Sequence, residues 1–493
     1  MSRKIHKTVS IPLYLQIAQR LVEKIEEHEL LPGAKLPPER ELAEMFNVSR
    51  TTAVGAYKHL ETLGLIETRV GSGTYVRAQK TFIDWHNRFS QARDTPSISV
   101  MRDIIKEVRA DVIDLAFEVP DIKLSPVEIF SKILTEHNGA FYNSDFSPAT
   151  VEGCYPFKEL LAYRMSRYAR PMTAENIIVT SGAQQALYLL TKILTTPGDT
   201  VVTGAPISPG ALTIFQAAKL NIIQIPAGES DSYSAMEKVF ACHKPKFVYM
   251  IPTFQNPCGD VMPLEMRKNY CLRMIEKYKV LMIEDDTYNQ IYFEEPPPPP
   301  LISFDTYDGI IYIGSFLRTL FPSLRIGYIA GPEEVIKRIA YEKISMSLFN
   351  SNINQWMLYR FLMDGYYEPH LELARDEYKK RRDAMREALQ TFCVDKIEFN
   401  NPKGGLFLWC KSKNMTVKSR ALFYKCSGNV TFVPGEAFYD KANKDGEYRF
   451  RLCFGYYEPV DLQRGIARLA YCFDRVAKTS RPHAVPYSYT PLS

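Results

Sequence analysis

Apolar residues in the first eighty positions recur at helical spacing. Leu13, Ile17, Leu21, Val22 and Ile25 share one face of a helix that ends before Leu31-Pro32-Gly33. A second, short helix is predicted after Pro37-Pro38, with Leu42, Ala43 and Phe46 turned inward. A third starts at Ser49, a residue suited to cap a helix N-terminus, and carries Ala53, Ala56, Tyr57 and Leu60 on its inner face up to Gly64. The tight Asn47-Val48 connection makes the last two a helix-turn-helix. The period then changes to two: residues 65–69 and 73–77 alternate around Gly71-Ser72-Gly73 as two short strands, a hairpin small enough to serve as a wing.

Residues 79–110 lack a clean period, and the polar, turn-rich run from Gln91 to Ser99 reads as an interdomain linker with room for short helices. From Asp111 the pattern becomes short apolar strands alternating with amphipathic helices. The strands are residues 176–180, 200–202, 246–251, 280–283 and 310–313. Fully apolar strands separated by helices predict an α/β fold, with a mainly parallel sheet covered on both faces. Pro296 to Pro300 reads as a rigid polyproline spacer on a loop.

Polar clusters fall at the ends of these strands, where such sheets bind ligands. Thr180-Ser181-Gly182-Ala183 opens a helix and offers a hydroxyl and backbone N–H groups to an anion. The strand ending at Ile251 leads to Asn256-Pro257, and the strand ending at Ile283 leads to Glu284-Asp285-Asp286 and Tyr288. The fifth leads to Ser315, Arg318 and Arg325, a hydroxyl and two guanidinium groups.

Charge and cysteine usage narrow the partners. The whole chain of 493 residues has 61 basic and 56 acidic residues, a mixed surface rather than a polybasic one. Residues 1–80 nevertheless carry twelve Lys and Arg against nine Glu, so much of the net +5 sits on the helix-turn-helix. At the start of its third helix, Ser49, Arg50, Thr51 and Thr52 offer donors for phosphates and base edges. Nine scattered cysteines with no CxxC pair point to free, buried thiols in a reducing compartment and to no metal site. With no apolar run near the roughly 18 residues of a membrane span, the expected location is the cytoplasm, away from membranes.

The N-terminal motifs carry a resemblance. Leu36-Pro-Pro-Glu-Arg-Glu-Leu-Ala, Val48-Ser-Arg-Thr-Thr, Gly64-Leu-Ile and the Gly-Ser-Gly-Thr-Tyr-Val wing resemble the GntR family of winged-helix regulators over residues 8–78. The resemblance implies operator DNA as partner, contacted by Arg40, Ser49, Arg50, Thr51, Thr52 and the wing around Arg69, Gly71 and Gly73. Val54 stands where some members carry a further arginine.

The strand-end clusters, in their order, resemble the fold-type I aminotransferases over about residues 111–475. Joined to a GntR head, the chain is similar to the MocR subfamily of regulators. This implies a winged-helix domain over residues 1–78, a linker over 79–110, a class I/II aminotransferase-like domain with a smaller C-terminal α+β subdomain over 111–475, and a tail from 476 to 493. By matching motifs, Ser181, Gly182, Ala183, Ser315 and Arg325 would hold the phosphate of pyridoxal 5'-phosphate, Asp285 would pair with the pyridinium nitrogen, and Asn256 and Tyr288 would bond the phenolic oxygen. Arg451, in Phe450-Arg-Leu-Cys-Phe454, would clamp a substrate carboxylate, and Val433-Pro-Gly-Glu-Ala-Phe also fits. The family's domains dimerise.

Two positions depart from the family. Arg318 stands where the Schiff-base lysine belongs, and Ser208, within Gly204–Gly210, stands where an aromatic residue stacks on the cofactor ring. A guanidinium stays protonated, so it neither condenses with an aldehyde nor shuttles a proton as an amine does. The leading expectation is a homodimeric, ligand-responsive regulator without transaminase activity. It would sense a vitamer, an amino acid or another anion between Arg318, Arg325 and Arg451, with any pyridoxal phosphate held non-covalently. The competing expectations are a working transaminase with a DNA-binding head, using a lysine from elsewhere, and a scaffold whose pocket is filled by its own side chains.

Overall fold

The computed structural model describes residues 11–27, 29–69, 71–77, 96–107, 111–136, 150–168, 171–226, 232–441 and 443–479. They belong to two compact units, Met1–Arg93 and Asp94–Ser493.

In the first unit the expected helices span Leu13–Glu26, Glu39–Phe46 and Arg50–Thr62. Ile17, Leu21, Leu42, Ala53, Ala56 and Leu60 meet in one apolar core, so the helical period did mark the buried faces. Asn47 ends the second helix in the left-handed conformation, φ +49°, which asparagine tolerates better than most residues. Ser49 caps the third helix: its hydroxyl accepts from the Thr52 amide at 3.2 Å. The Tyr57 hydroxyl donates to the Pro37 carbonyl at 2.6 Å, which ties this helix to the start of the second. The wing pairs β1 (Ile66–Arg69) with β2 (Gly73–Val76), Arg69 opposite Gly73. Gly71 and Gly73 sit at φ +76° and +118°, where a side chain would be strained.

The second unit opens with a two-residue strand, β3 (Ile113–Asp114). Its main sheet runs, edge to edge, β4 (Ile177–Thr180), β10 (Gly327–Ala330), β9 (Ile310–Ser315), β8 (Leu281–Asp285), β7 (Phe247–Met250), β5 (Thr200–Ala205) and β6 (Asn221–Pro226). The pairs among β9, β8, β7, β5 and β6 are parallel, while β10 runs antiparallel between β4 and β9. Apolar clusters cover both faces, one holding Leu190, Phe215 and Ile313 and the other Phe157, Met282 and Tyr312. The smaller sheet has the order β11 (Ile397–Phe399), β12 (Phe407–Ser412), β15 (Arg449–Cys453) and β14 (Val433–Pro434), all antiparallel. A further strand, β13 (Val430–Thr431), pairs with β3. Helices Tyr367–Cys393 and Pro459–Thr479 pack against each other, and the second also lies against β3 and β13.

Three sequence expectations need correction. Part of the expected linker, Pro96–Glu107, is a helix of the second unit: Val100 and Ile104 enter its core and the Ser97 hydroxyl donates to the Ala437 carbonyl at 2.9 Å. Proline at the first helical position explains why a turn-like composition starts a helix there. The rest of the linker up to residue 95 lies outside the described residues. The last helix continues past 476, with Val476 buried, and residues 480–493 of the expected tail also lie outside the described residues. Of the cysteines, Cys393, Cys410, Cys426, Cys453 and Cys472 are free and buried, but Cys242 is exposed. No helix among the described residues is long and apolar enough to cross a membrane, and no cluster there could hold a metal ion.

Candidate functional site

On the first unit the candidate DNA residues form an exposed polar surface. Arg40, Ser49, Arg50 and Thr51 are exposed and Thr52 is half-buried. Arg50 pairs with Glu39 at 3.2 Å, but both side chains are largely open to solvent, so the pair is weak and leaves the guanidinium available. Arg40 has no ion pair among the described residues. On the wing, Arg69 pairs with Glu67 at 2.7 Å and lies over the Tyr75 ring, 4.8 Å from its centroid. Ser49 is the exception to a pure contact role, because its hydroxyl is engaged in capping and also bonds Thr52 Oγ1 at 2.8 Å.

In the second unit, strand register builds the pocket. Gly327 pairs with Thr180 on one side and Ser315 on the other, so the ends of β4 and β9 lie beside the start of β10. A Cβ at Gly327 would sit 2.8 Å from the Gly182 Cα; glycine there lets the loops approach. Gly182, φ +112°, opens the helix Ala183–Leu194. Arg325 reaches this turn: its Nη2 lies 3.9 Å from where a Gly182 Cβ would be. It is exposed and has no ion pair among the described residues. The Ser181 hydroxyl accepts from Asn350 Nδ2 at 2.7 Å, and Ser315 Oγ accepts from the Leu317 amide at 3.3 Å. Ser181, Gly182, Ala183, Ser315 and Arg325 thus lie around the adjoining ends of β4, β10 and β9.

Asp285 ends β8, buried, and accepts from the Tyr249 hydroxyl at 2.7 Å and the Thr287 amide at 3.3 Å. Burial raises its pKa despite those two donors. Its neighbours serve the scaffold. Glu284 accepts the Leu301 and Ile302 amides at 2.6 and 2.9 Å. Buried Arg267, on the helix Leu264–Tyr278, donates to the carbonyls of Pro298 and Pro299, so the proline run is tied to that helix.

Asn256, Tyr288, Arg318 and Arg451 converge on a residue that sequence reasoning missed, Glu118. Its Oε1 accepts from Asn256 Nδ2 at 2.8 Å and from Arg451 Nη1. Its Oε2 accepts from the Tyr288 hydroxyl at 2.6 Å and from Arg318 Nη2 at 2.7 Å. Arg318 Nη1 also donates to the Glu118 carbonyl. Burial raises the Glu118 pKa, but Arg451 and Arg318, with Tyr288 and Asn256, outweigh it and hold the group at about 2. Arg451 is almost wholly buried, stacks over Phe407 at 4.4 Å and bonds Asn256 Oδ1 and the Ala116 carbonyl, each at 2.8 Å. Burial lowers the pKa of Arg318, but Tyr288 and Glu118 outweigh it, so the net direction is up. Ser208 precedes the helix Pro209–Ala217 and is half-buried.

The comparisons agree with both units. The family described as "Aminotransferase class I and II" matches residues 146–469, and "Bacterial regulatory proteins, gntR family" matches residues 13–76. The chain is 31% identical to the uncharacterized HTH-type transcriptional regulator YisV of Bacillus subtilis, over 93% of this chain and 96% of that protein. It is 32% identical to aromatic-amino-acid aminotransferase 1 of Thermococcus litoralis, over 79% of this chain and 94% of that protein. Among solved structures it resembles the α-aminoadipate aminotransferase LysN of Thermus thermophilus, with TM-score 0.71 and 28% identity over 80% of this chain and all of that one. It also resembles a multiple substrate aminotransferase of Thermococcus profundus, with TM-score 0.72 and 30% identity over the same shares. The chain therefore belongs to the class I and II aminotransferase family, in the MocR-type form that joins that domain to a GntR-family helix-turn-helix.

Proposed function

We propose that this regulator senses a small phosphorylated ligand in its aminotransferase-type pocket and passes the occupancy of that pocket to operator DNA, without carrying out transamination. The observation that carries this reading is the environment of residue 318. The family's mechanism needs an amine there that can lose its proton, and this chain holds a guanidinium against the carboxylate and carbonyl of Glu118.

Pyridoxal phosphate fits the pocket in part. Its phosphate matches Ser181, the Gly182–Ala183 turn at a helix N-terminus, Ser315 and the ion-pair-free Arg325. Buried Asp285 suits the ring nitrogen; when bound, the group supplies an electron-withdrawing ring. The other end fits less well: arginine and serine stand at 318 and 208, where the family places the lysine and the stacking aromatic, and Asn256 and Tyr288 already donate to Glu118. The residues therefore support reversible binding and give no covalent anchor.

Similarity to aminotransferases favours a second reading, an active transaminase that borrows another lysine. Lys343 is buried and burial lowers its pKa to about 8, but its Nζ donates to the carbonyls of Val151 and Val179 at 2.6 and 2.9 Å. That engagement speaks against it. Glu118 at the Arg451 end supports the scaffold reading, whereas Arg325, which has no ion pair among the described residues, speaks against it.

Fluorescence anisotropy with a labelled fragment of the regulator's own promoter tests the proposal. Pyridoxal phosphate is expected to change DNA affinity several-fold in the wild type and to leave Arg325→Ala unchanged. DNA affinity indifferent to every vitamer, amino acid and phosphorylated metabolite tried would overturn the sensing role.

A further inference from the structure

Glu118 stands where an incoming carboxylate would bind. Arg451 is the guanidinium expected to clamp a substrate carboxylate, and it already holds one. Two donors converge on each Glu118 oxygen, Asn256 and Arg451 on one, Tyr288 and Arg318 on the other. A carboxylate has about four lone-pair sites, so this arrangement uses them all. A satisfied carboxylate is also a like-charge barrier to a second one at the same spot.

The segment that carries Glu118 is fixed on both sides. On one side the Ala116 carbonyl accepts from Arg451 at 2.8 Å and the Ala116 amide donates to Asp114 at 2.9 Å. On the other, Asp121 pairs with Arg381 at 2.5 Å with both side chains almost wholly buried, and Arg381 also donates to the Gly455 carbonyl at 2.7 Å. The Glu118 main chain is itself held by Arg318. This is a wedged side chain rather than the tip of a loose loop.

We propose that Glu118 is a built-in carboxylate that occupies the amino-acid carboxylate subsite, so that the pocket accepts a phosphorylated pyridine lacking an α-carboxylate and rejects the same group joined to an amino acid. The idea rests on the sensing reading above and narrows its ligand class. It makes Glu118 a specificity-determining residue and gives Arg318 a role: with Arg451 it balances and orients that carboxylate.

Calorimetric titration of the full-length protein with two probes tests this. One is pyridoxamine 5'-phosphate; the other is N-(5'-phosphopyridoxyl)-L-leucine, the ligand held by LysN of Thermus thermophilus. The wild type is expected to bind pyridoxamine phosphate and to bind the leucine adduct no better. Glu118→Ala is expected to shift the ratio of the two affinities toward the adduct by about tenfold or more, because Arg451 and Asn256 then face an added carboxylate. Glu118→Gln, which keeps the size and removes the charge, is expected to shift it in the same direction and serves if the alanine variant does not fold. An unchanged ratio in the folded variants, or a wild type that already prefers the adduct, overturns the inference and leaves the sensing reading standing. If neither probe binds the wild type or any variant, the reading of the pocket as a phosphate site falls as well.

Discussion

Neutralising Glu118 tests how much the pocket's charge network contributes to the fold. In the native protein two guanidiniums and two neutral donors hold this carboxyl at about 2, against an ordinary value of 4.5. A depression of that size corresponds to about 3 kcal/mol in favour of the folded state near neutral pH. The sign is fixed by linkage. A carboxyl whose folded pKa is depressed stabilises above its unfolded value and loses that contribution as pH falls through the folded value. Glu118→Gln therefore lowers stability near neutral pH and narrows its deficit against the wild type as pH drops below about 4.5, toward about 2. For a unit of about 400 residues, an unfolding entropy of roughly 2 cal/mol/K per residue turns 3 kcal/mol into a fall of roughly 3–4 °C in melting temperature. Differential scanning fluorimetry of the full-length pair across a series of pH values reads this directly, because Trp356 and Trp409 are both buried in the second unit. A variant as stable as the wild type at neutral pH, or a deficit that does not change with acidification, would refute the charge assignment.

Other expectations follow from the same geometry. Arg40→Ala with Arg50→Ala abolishes binding to the promoter site in anisotropy at near-physiological salt, and wild-type affinity falls steeply as salt rises through counterion release. Ser49→Ala lowers the stability of the first unit by about 1 kcal/mol through its lost cap, measured by chemical denaturation. Pyridoxal phosphate is expected to raise the melting temperature of the wild type and not that of Arg325→Ala, read by thermal shift. Arg318→Lys, with the rest of the pocket intact, gains a borohydride-reducible pyridoxyl label on the peptide spanning Ser315 to Arg325, while the wild type shows none there.

Local patterns made much of this legible. The helical period marked the core of the first unit, and the Asn47 turn, the Ser49 cap and the wing glycines were visible because each works over a few residues. Five apolar runs gave five strands, and polar residues directly after them gave most of the pocket. Two strands of the main sheet escaped notice: β6 is half-exposed and mixed in composition, and β10 is four residues long behind the Arg325 turn. The short strands β3, β11, β12, β13, β14 and β15, the smaller sheet among them, were not foreseen either. Glu118 escaped for a different reason. It is a single acid in a connecting segment, and its partners stand 138, 170, 200 and 333 residues away along the chain. Only the folded chain brings Asn256, Tyr288 and Arg318, after strands of the main sheet, and Arg451, on the smaller sheet, to it, so no local window holds the signal. The helix Pro96–Glu107 was obscured because its polar N-terminal turn resembles a linker, although Val100 and Ile104 are spaced for one face.

On this reading the pocket holds a phosphorylated pyridine without a covalent bond to it. Native mass spectrometry of the full-length protein mixed with pyridoxal phosphate and then treated with borohydride tests it most directly. The account predicts bound ligand before treatment, lost on gentle activation, and no retained pyridoxyl mass on the pocket peptides afterwards. A pyridoxyl group retained at one specific lysine, together with amino-group transfer to a keto acid, would contradict it and make the protein a working transaminase.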